Sequence, residues 1–117
     1  MISIGTDIVK VSRIKALIDQ KKEKFLNKIF TEKEIAYCNS YSVSELHFSG
    51  KYAAKEAVKK ALLSNDLIDK ISLKDIEILN KNNKVPYVVI KNMMELNYNV
   101  SVSHEEEYAI AFVVIEK

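Results

Sequence analysis

The stretch FSGKYAAKEAVKKA, residues 48–61, decides how this chain folds. At about 100° per residue, its alanines gather with Val58 and Leu62 on one broad face of a helix over residues 48–63. Small alanine side chains let a neighbouring backbone approach closely, so we expect this helix to be central and pressed against a sheet. Glu56 and Lys60 lie one turn apart along the edge of that face, near the core yet reachable from a cleft.

The segments on either side of this helix predict strands. Residues 2–9 alternate, which places three isoleucines on one face and Asp7 on the other, near the strand end. Two hairpins follow the helix, the first of them around an asparagine-rich turn. They comprise residues 76–79 with 85–90, and residues 100–104 with 108–115.

Shorter helices complete the predicted architecture. One begins at Ser12, one covers residues 31–38, one begins near Ser42 and one covers residues 91–96. The spacing of Thr31 with Glu34, and of Ser42 with Glu45, is that of a capping box. This order of elements predicts the α+β class. A small antiparallel sheet would pack against the long central helix and the shorter helices, in a single domain over residues 1–117.

Composition excludes several classes of protein. Apolar residues make up 48% of the 117 positions and charged residues 29%, which is typical of a globular chain. One cysteine, Cys38, cannot form an internal disulfide or a multi-cysteine metal cluster. A net charge of +2 is too small to indicate nucleic-acid binding. Neither a signal-peptide pattern nor a membrane-length apolar run occurs, so we expect a cytoplasmic protein without membrane contact.

Two carboxylates on separate elements carry the chemistry. Taken singly, Asp7 reads as a turn cap and Glu56 as half of a surface ion pair. Together, and with lysines nearby, they suit a magnesium site completed by substrate phosphates and water. Lys60 would then neutralise charge developing on a phosphoryl oxygen. No catalytic triad, glycine-rich phosphate loop or histidine metal motif is present, and no histidine is placed beside Cys38.

Four segments in register resemble the holo-acyl-carrier-protein synthases. They are GTDI with RI at residues 5–8 and 13–14, KIFTEKE at 28–34, the helix stretch at 48–61, and VSH with YAIA at 102–104 and 108–111. The segments span nearly the whole chain in the order that the family has. The resemblance implies a magnesium-dependent 4'-phosphopantetheinyl transferase, with manganese as a possible substitute. Such enzymes move phosphopantetheine from coenzyme A to a serine of apo acyl carrier protein for fatty acid synthesis, releasing adenosine 3',5'-bisphosphate.

The resemblance also assigns site residues. The family's metal ligands correspond to Asp7 and Glu56, its catalytic lysine to Lys60 and the histidine of its Ser-His motif to His104. The implied coenzyme A contacts are basic or polar: Lys51, Lys55, Lys60, Ser103 and His104. The general base stays open between a water on the metal, a carboxylate and His104, and we favour His104 as a positioning group. Short members of the family are homotrimers with coenzyme A bound between subunits.

Arg13 is the only arginine among the 18 basic residues. Its planar fork grips carboxylates bidentately, which lysine cannot do. Because the family docks its acidic carrier protein on basic residues of the first helix, the resemblance implies a docking surface of Arg13, Leu17, Phe25 and Lys28. Core packing explains Leu17 and Phe25 equally well.

The chain departs from the family pattern in three places. Residues 62–67 lack the glycine found in the family's loop near the nucleotide. The middle hairpin reads NKVP at residues 83–86, with one extra residue, and Lys51 replaces a common arginine.

Two other interpretations of the protein's function stay open. A nucleic-acid-binding module would show steeply salt-dependent binding, and a trimer without activity would retain the fold alone.

Overall fold

The computed structural model describes residues 1–117. Five strands, four helices and one short 3-10 helix follow one another along the chain. Their order is β1 (Ile2–Lys10), α1 (Val11–Lys21), α2 (Glu23–Ile29), α3 (Glu32–Asn39), α4 (Ser44–Ser64), the 3-10 helix (Leu73–Asp75), β2 (Glu77–Asn80), β3 (Pro86–Val89), β4 (Asn97–His104) and β5 (Tyr108–Glu116).

The strands form two antiparallel sheets. One is three-stranded in the order β1-β5-β4, and the other is the hairpin of β2 with β3. Helix α4 packs across one face of the three-stranded sheet, and α1, α2 and α3 lie around it. The predicted α+β class and both predicted hairpins are confirmed.

Helix α4 approaches β1 more closely than a side chain would allow. The alanines of its core face, Ala53, Ala54, Ala57 and Ala61, are fully buried. Gly5 of β1 lies directly against it. A Cβ atom at Gly5 would overlap the carbonyl oxygen of Ala57 and lie 2.9 Å from the backbone nitrogen of Ala61. The predicted central helix is confirmed, and Gly5 is the residue that permits the contact.

The predicted alternation of β1 is confirmed, and its isoleucine face is the outer one. The isoleucines at positions 2, 4 and 8 face outward and are 63%, 59% and 64% exposed, whereas Ser3, Gly5 and Val9 are buried. Because α4 lies so close, the inner face accommodates only small side chains over most of its length. Asp7 consequently lies on the α4 side, and it sits within the strand rather than at its end.

Three predictions about the helices are wrong. Helix α4 begins at Ser44, so the helix expected near Ser42 and the long helix are one element. No side-chain cap forms at its start, because Val43 occupies the capping position. Residues 91–96 form turns, and α1 begins at Val11 rather than after a cap at Ser12. None of the helices combines the length and apolar character needed to cross a membrane.

The predicted capping box at Thr31 is confirmed and extends into the core. The Glu34 backbone amide donates to Thr31 Oγ1, and Glu34 Oε1 accepts from the Thr31 amide at 2.8 Å. Glu34 is fully buried, and its second oxygen accepts from the Ile78 amide at 2.8 Å. The carboxylate also pairs with Lys55 at 2.7 Å. One side chain thus joins α3, β2 and α4.

Candidate active site

Asp7 and Lys60 meet where β1 runs beside α4. Lys60 Nζ lies 3.0 Å from Asp7 Oδ1 and donates to the Thr6 carbonyl oxygen at 3.1 Å. The Asp7 side chain is 14% exposed and the Lys60 side chain 57%. A largely buried carboxylate therefore holds an ammonium group that can move toward solvent.

Glu56 lies half-buried one turn before Lys60 on the same helix. The pKa of Tyr52 reflects the charged groups around Glu56. Burial raises the pKa of Tyr52, the negative charges of Glu56 and Asp7 raise it further, and the positive charge of Arg13 lowers it. Tyr52 thus lies within electrostatic range of both predicted metal ligands and of Arg13, and this defines the neighbourhood of the candidate site.

The donor set of this neighbourhood fits magnesium. Magnesium binds hard oxygen ligands and uses one or two carboxylates together with waters and substrate phosphates. Asp7 and Glu56 supply two carboxylates from separate elements, and a cation, the Lys60 ammonium, already lies against one of them. No cluster of three or more histidine, cysteine, aspartate or glutamate side chains suited to a metal occurs in the chain. A metal here would complete its coordination with oxygens from outside the protein.

A second feature is an open cavity of about 340 Å³ beside the first half of α4. Two lysines and two histidines line it, and no aspartate or glutamate does. The lining residues are Tyr37, Tyr41, His47, Gly50, Lys51, Ile78, Asn80, Lys84, Pro86, Val102 and His104. A cavity with four basic side chains and no carboxylate is suited to an anionic ligand.

Lys51 is fixed in the wall of this cavity. Its ammonium donates to the Ile78 carbonyl oxygen and to Asn80 Oδ1, both at 2.6 Å, and lies 4.5 Å from the centre of the Tyr37 ring. Burial lowers the pKa of Lys51. The predicted coenzyme contacts Lys51 and His104 therefore line one cavity.

Most of the residues that line this cavity carry no signal in the sequence. His47 and Tyr41 stack with ring centres 3.7 Å apart, and His47 meets His104 edge to face at 5.3 Å. Lys84, from the turn between β2 and β3, lies 5.4 Å from the Tyr41 ring centre. These side chains come from four separate parts of the chain. His47 stands one turn before Lys51 on α4, and that spacing is the one sequence signal that links them.

Two predicted contacts require correction. Lys55 is fully buried, paired with Glu34, and donates to the Leu73 and Ile76 carbonyl oxygens at 3.0 and 2.8 Å. All its donors are used inside the core, so Lys55 cannot contact coenzyme A in this structure. Phe25 is only 8% exposed and packs on Phe30 and Tyr52. Core packing, rather than carrier-protein docking, accounts for Phe25.

The remaining predicted residues lie at the surface. Arg13 and Lys28 are exposed, and Leu17 is half-buried against the core. Ser103 is exposed on the outer face of the sheet, where it is in register with Ile110, and it does not line the cavity.

Comparison with known proteins gives one family. The model of the 4'-phosphopantetheinyl transferase superfamily matches residues 3–113. The holo-[acyl-carrier-protein] synthase of Thermodesulfovibrio yellowstonii is 44% identical over 112 residues, covering 96% of each chain. That of Protochlamydia amoebophila is 41% identical over 118 residues, covering 97% of this chain and 96% of the relative.

Solved structures agree with this relationship. A holo-(acyl-carrier-protein) synthase from Bacillus anthracis, in complex with CoA (3',5'-ADP), superposes with a TM-score of 0.81 at 31% identity. The match covers 97% of this chain and 94% of that one. The Helicobacter pylori enzyme in complex with coenzyme A gives a TM-score of 0.83 at 29% identity, covering 97% and 99%.

Proposed function

The chain belongs to the 4'-phosphopantetheinyl transferase superfamily, within its holo-[acyl-carrier-protein] synthase family, and from this we propose that it transfers 4'-phosphopantetheine from coenzyme A to a serine of apo acyl carrier protein. One observation supports the proposal above others. Helix α4 supplies groups to two places at once: Glu56 and Lys60 beside Asp7, and His47 and Lys51 to the basic cavity. A substrate that carries a pyrophosphate and a further phosphate could bind at both places at once.

Asp7 and Glu56 would hold a magnesium ion, with manganese as a possible substitute. Bound there, the metal would grip the pyrophosphate of coenzyme A and make its phosphorus more electrophilic. The two carboxylates would set the position of that ion relative to β1 and α4. The close packing of these two elements at Gly5 favours a constant spacing between the carboxylates.

The reaction requires no protein nucleophile. The carrier-protein serine oxygen attacks the phosphorus attached to pantetheine, and the bond from that phosphorus to the bridging oxygen breaks. Adenosine 3',5'-bisphosphate leaves. Lys60 would release Asp7 and neutralise the charge that develops on the bridging oxygen. The serine proton passes to a base, for which His104 and a carboxylate are the candidates within the protein.

The basic cavity would receive the phosphate-bearing nucleotide of coenzyme A. Lys51 and Lys84 contribute positive charge, and His104 forms part of the same wall. The Lys51 ammonium is already positioned by Ile78 and Asn80, so little side-chain freedom is lost when an anion binds.

The outer face of the three-stranded sheet supports assembly of this chain into an oligomer. Its apolar side chains are 47–64% exposed along β1 and in the middle of β5: Ile2, Ile4, Ile8, Ile110 and Phe112. An apolar sheet face of this kind marks a protein contact, and we assign it to further copies of this chain in a trimer. Ser103 lies at the edge of this face, so its coenzyme contact would be with the substrate of a neighbouring subunit.

The acidic carrier protein would dock on α1 and α2 through Arg13 and Lys28, with Leu17 as the apolar contact. Arg13 lies within electrostatic range of Tyr52, as Asp7 and Glu56 do, so a partner docked on Arg13 would lie on the side of the proposed metal. Phe25 supports this surface from the core.

The product that leaves coenzyme A tests the proposed reaction. The protein is incubated with magnesium, coenzyme A and apo acyl carrier protein, and adenosine 3',5'-bisphosphate is measured by chromatography. A carrier protein whose acceptor serine is replaced by alanine serves as the control. Release that needs the serine supports the transfer. Release that is the same with both carriers would indicate hydrolysis instead, and no release would refute the proposed function.

A further inference from the structure

His47 occupies the wall of the basic cavity without a role in the reaction described above. It stacks on Tyr41, with ring planes 19° apart, and its ring meets that of His104 edge to face. The chain has only two histidines, and the fold brings both to this cavity from α4 and β4. A neutral stacked ring and a charged ring would bind an anion differently, so the protonation of His47 matters for what the cavity holds.

The charges that face His47 are positive or titratable from every side. Lys51 lies on α4, Lys84 on the β2–β3 turn, His104 on β4, and the hydroxyls of Tyr37 and Tyr41 on the α3 side. No carboxylate lines the cavity. Burial lowers the pKa of His47, and the charges of His104, Lys51 and Lys84 lower it further. In the empty cavity the imidazole is therefore mainly neutral at neutral pH.

A phosphate group in the cavity reverses this balance. An opposite charge within a few ångströms favours the charged form of a histidine, and an imidazolium can donate a charge-assisted hydrogen bond to a phosphate oxygen. We propose that His47 is a coenzyme-binding residue that takes up a proton when the phosphate-bearing nucleotide of coenzyme A enters the cavity. The inference rests on the proposed function and adds to it a binding residue and a pH dependence of the same site.

This proton uptake sets the direction in which the coenzyme A affinity changes with pH. Between the lower pKa of the free imidazole and the higher pKa of the bound one, binding takes up a proton and weakens as pH rises. Across about pH 6.5 to 8.5, where the second ionisation of a phosphate near 6 contributes little, we expect coenzyme A affinity to fall by about tenfold.

Calorimetric titration with coenzyme A tests the inference, using this protein and its His47→Phe variant. Phenylalanine keeps the stacking on Tyr41 and cannot titrate. Titrations in buffers of different ionisation enthalpy count the protons taken up. Lys81→Gln is the control. Lys81 lies in the β2–β3 turn that also carries Lys84, but it does not line the cavity. Dephospho-coenzyme A, which lacks the 3'-phosphate, identifies which phosphate is involved.

Proton uptake by wild type and by Lys81→Gln, lost together with the pH dependence in His47→Phe, is the expected result. Uptake that also disappears with dephospho-coenzyme A assigns the contact to the 3'-phosphate, and uptake that persists assigns it to the pyrophosphate. Equal uptake and equal pH dependence in wild type and His47→Phe would overturn the inference while leaving the proposed function intact. Failure of the wild type to bind coenzyme A at all would overturn both.

Discussion

The ammonium of Lys60 lies 3.0 Å from the Asp7 carboxylate, across the contact between α4 and β1. A cation tethered to the protein thus occupies a position next to one of the two proposed metal ligands. Lys60 is more than half exposed, so the ammonium can leave without breaking the packing of the helix. Metal binding and release of Lys60 toward the substrate are therefore expected to be linked.

Replacing Lys60 by alanine should strengthen metal binding in the absence of coenzyme A. The ammonium competes with the ion for Asp7, and an exposed ion pair contributes less than about 1 kcal/mol, so we expect Mn²⁺ to bind about two- to fivefold more tightly. Titration of Mn²⁺ followed by electron paramagnetic resonance measures this. Lys59→Ala, which removes a lysine that makes no ion pair, should leave the affinity unchanged. Weaker binding to Lys60→Ala would show that Lys60 does not compete.

Asp7→Asn and Glu56→Gln should each reduce transfer by at least about a thousandfold, because either change removes a carboxylate from the metal site. Thermal unfolding should change little, since both replacements keep the shape of the side chain. Glu95→Gln, in the exposed turn between β3 and β4, is the control and should be fully active. Transfer at the wild-type rate by either site variant would remove that residue from the metal site.

A lysine on the outer sheet face should separate the subunits. Ile4→Lys or Phe112→Lys places a charge at the centre of the apolar face, where burial against another copy is costly. Light scattering after gel filtration should change from trimer to monomer, with loss of transfer. Leu63→Lys, an exposed apolar position on α4, should stay trimeric. An active monomer from either variant would refute the idea that the site is shared between subunits.

Arg13→Ala should weaken carrier-protein binding by about fivefold to tenfold and leave coenzyme A binding unchanged, because the guanidinium would face the partner in the proposed complex. Arg13→Lys should give an intermediate value, since it keeps the charge and loses the planar fork. Lys33→Ala on α3 controls for a general loss of positive charge. The KM values for the two substrates are compared. An equal rise in both would contradict the docking role.

Lys55→Met should destabilise the fold without changing the binding of coenzyme A. The change leaves the Glu34 carboxylate buried and unpaired, which costs about 3–5 kcal/mol. Denaturant unfolding measures the loss, and Glu32→Gln, an exposed acid on the same helix as Glu34, should lie within about 0.5 kcal/mol of wild type. The KM for coenzyme A should be unchanged where Lys55→Met is folded. A stable variant with a raised KM for coenzyme A would show that Lys55 contacts coenzyme A after all.

Much of this molecule can be predicted from its sequence where a pattern is local. The alanines of α4 and the capping box of Thr31 with Glu34 follow from spacing along one helix. The outward isoleucines of β1 do not, because alternation identifies two faces without saying which one meets the core. That choice depends on the contact between Gly5 and Ala57, which is distant in sequence.

The site shows the same division. Asp7, Glu56 and Lys60 stand in recognisable motifs, whereas His47 and Lys84 reach the cavity only through the packing of α4 against the β2–β3 hairpin. Lys55 shows the opposite case. Its neighbours in sequence indicate an exposed lysine beside Glu56, but the buried carboxylate of Glu34, 21 positions earlier, draws it into the core. A charge partner of this kind is invisible until the helices are assembled.

The central claim is metal-dependent transfer of phosphopantetheine to the carrier protein, and intact mass spectrometry tests it most directly. Apo acyl carrier protein is incubated with this protein, coenzyme A and magnesium, then again with EDTA, and finally with magnesium restored in excess over EDTA. We predict a gain of one phosphopantetheine in the first reaction, none in the second, and the same gain in the third. An unchanged carrier mass in all three reactions, with folded protein and a carrier that a known synthase modifies, would contradict the claim.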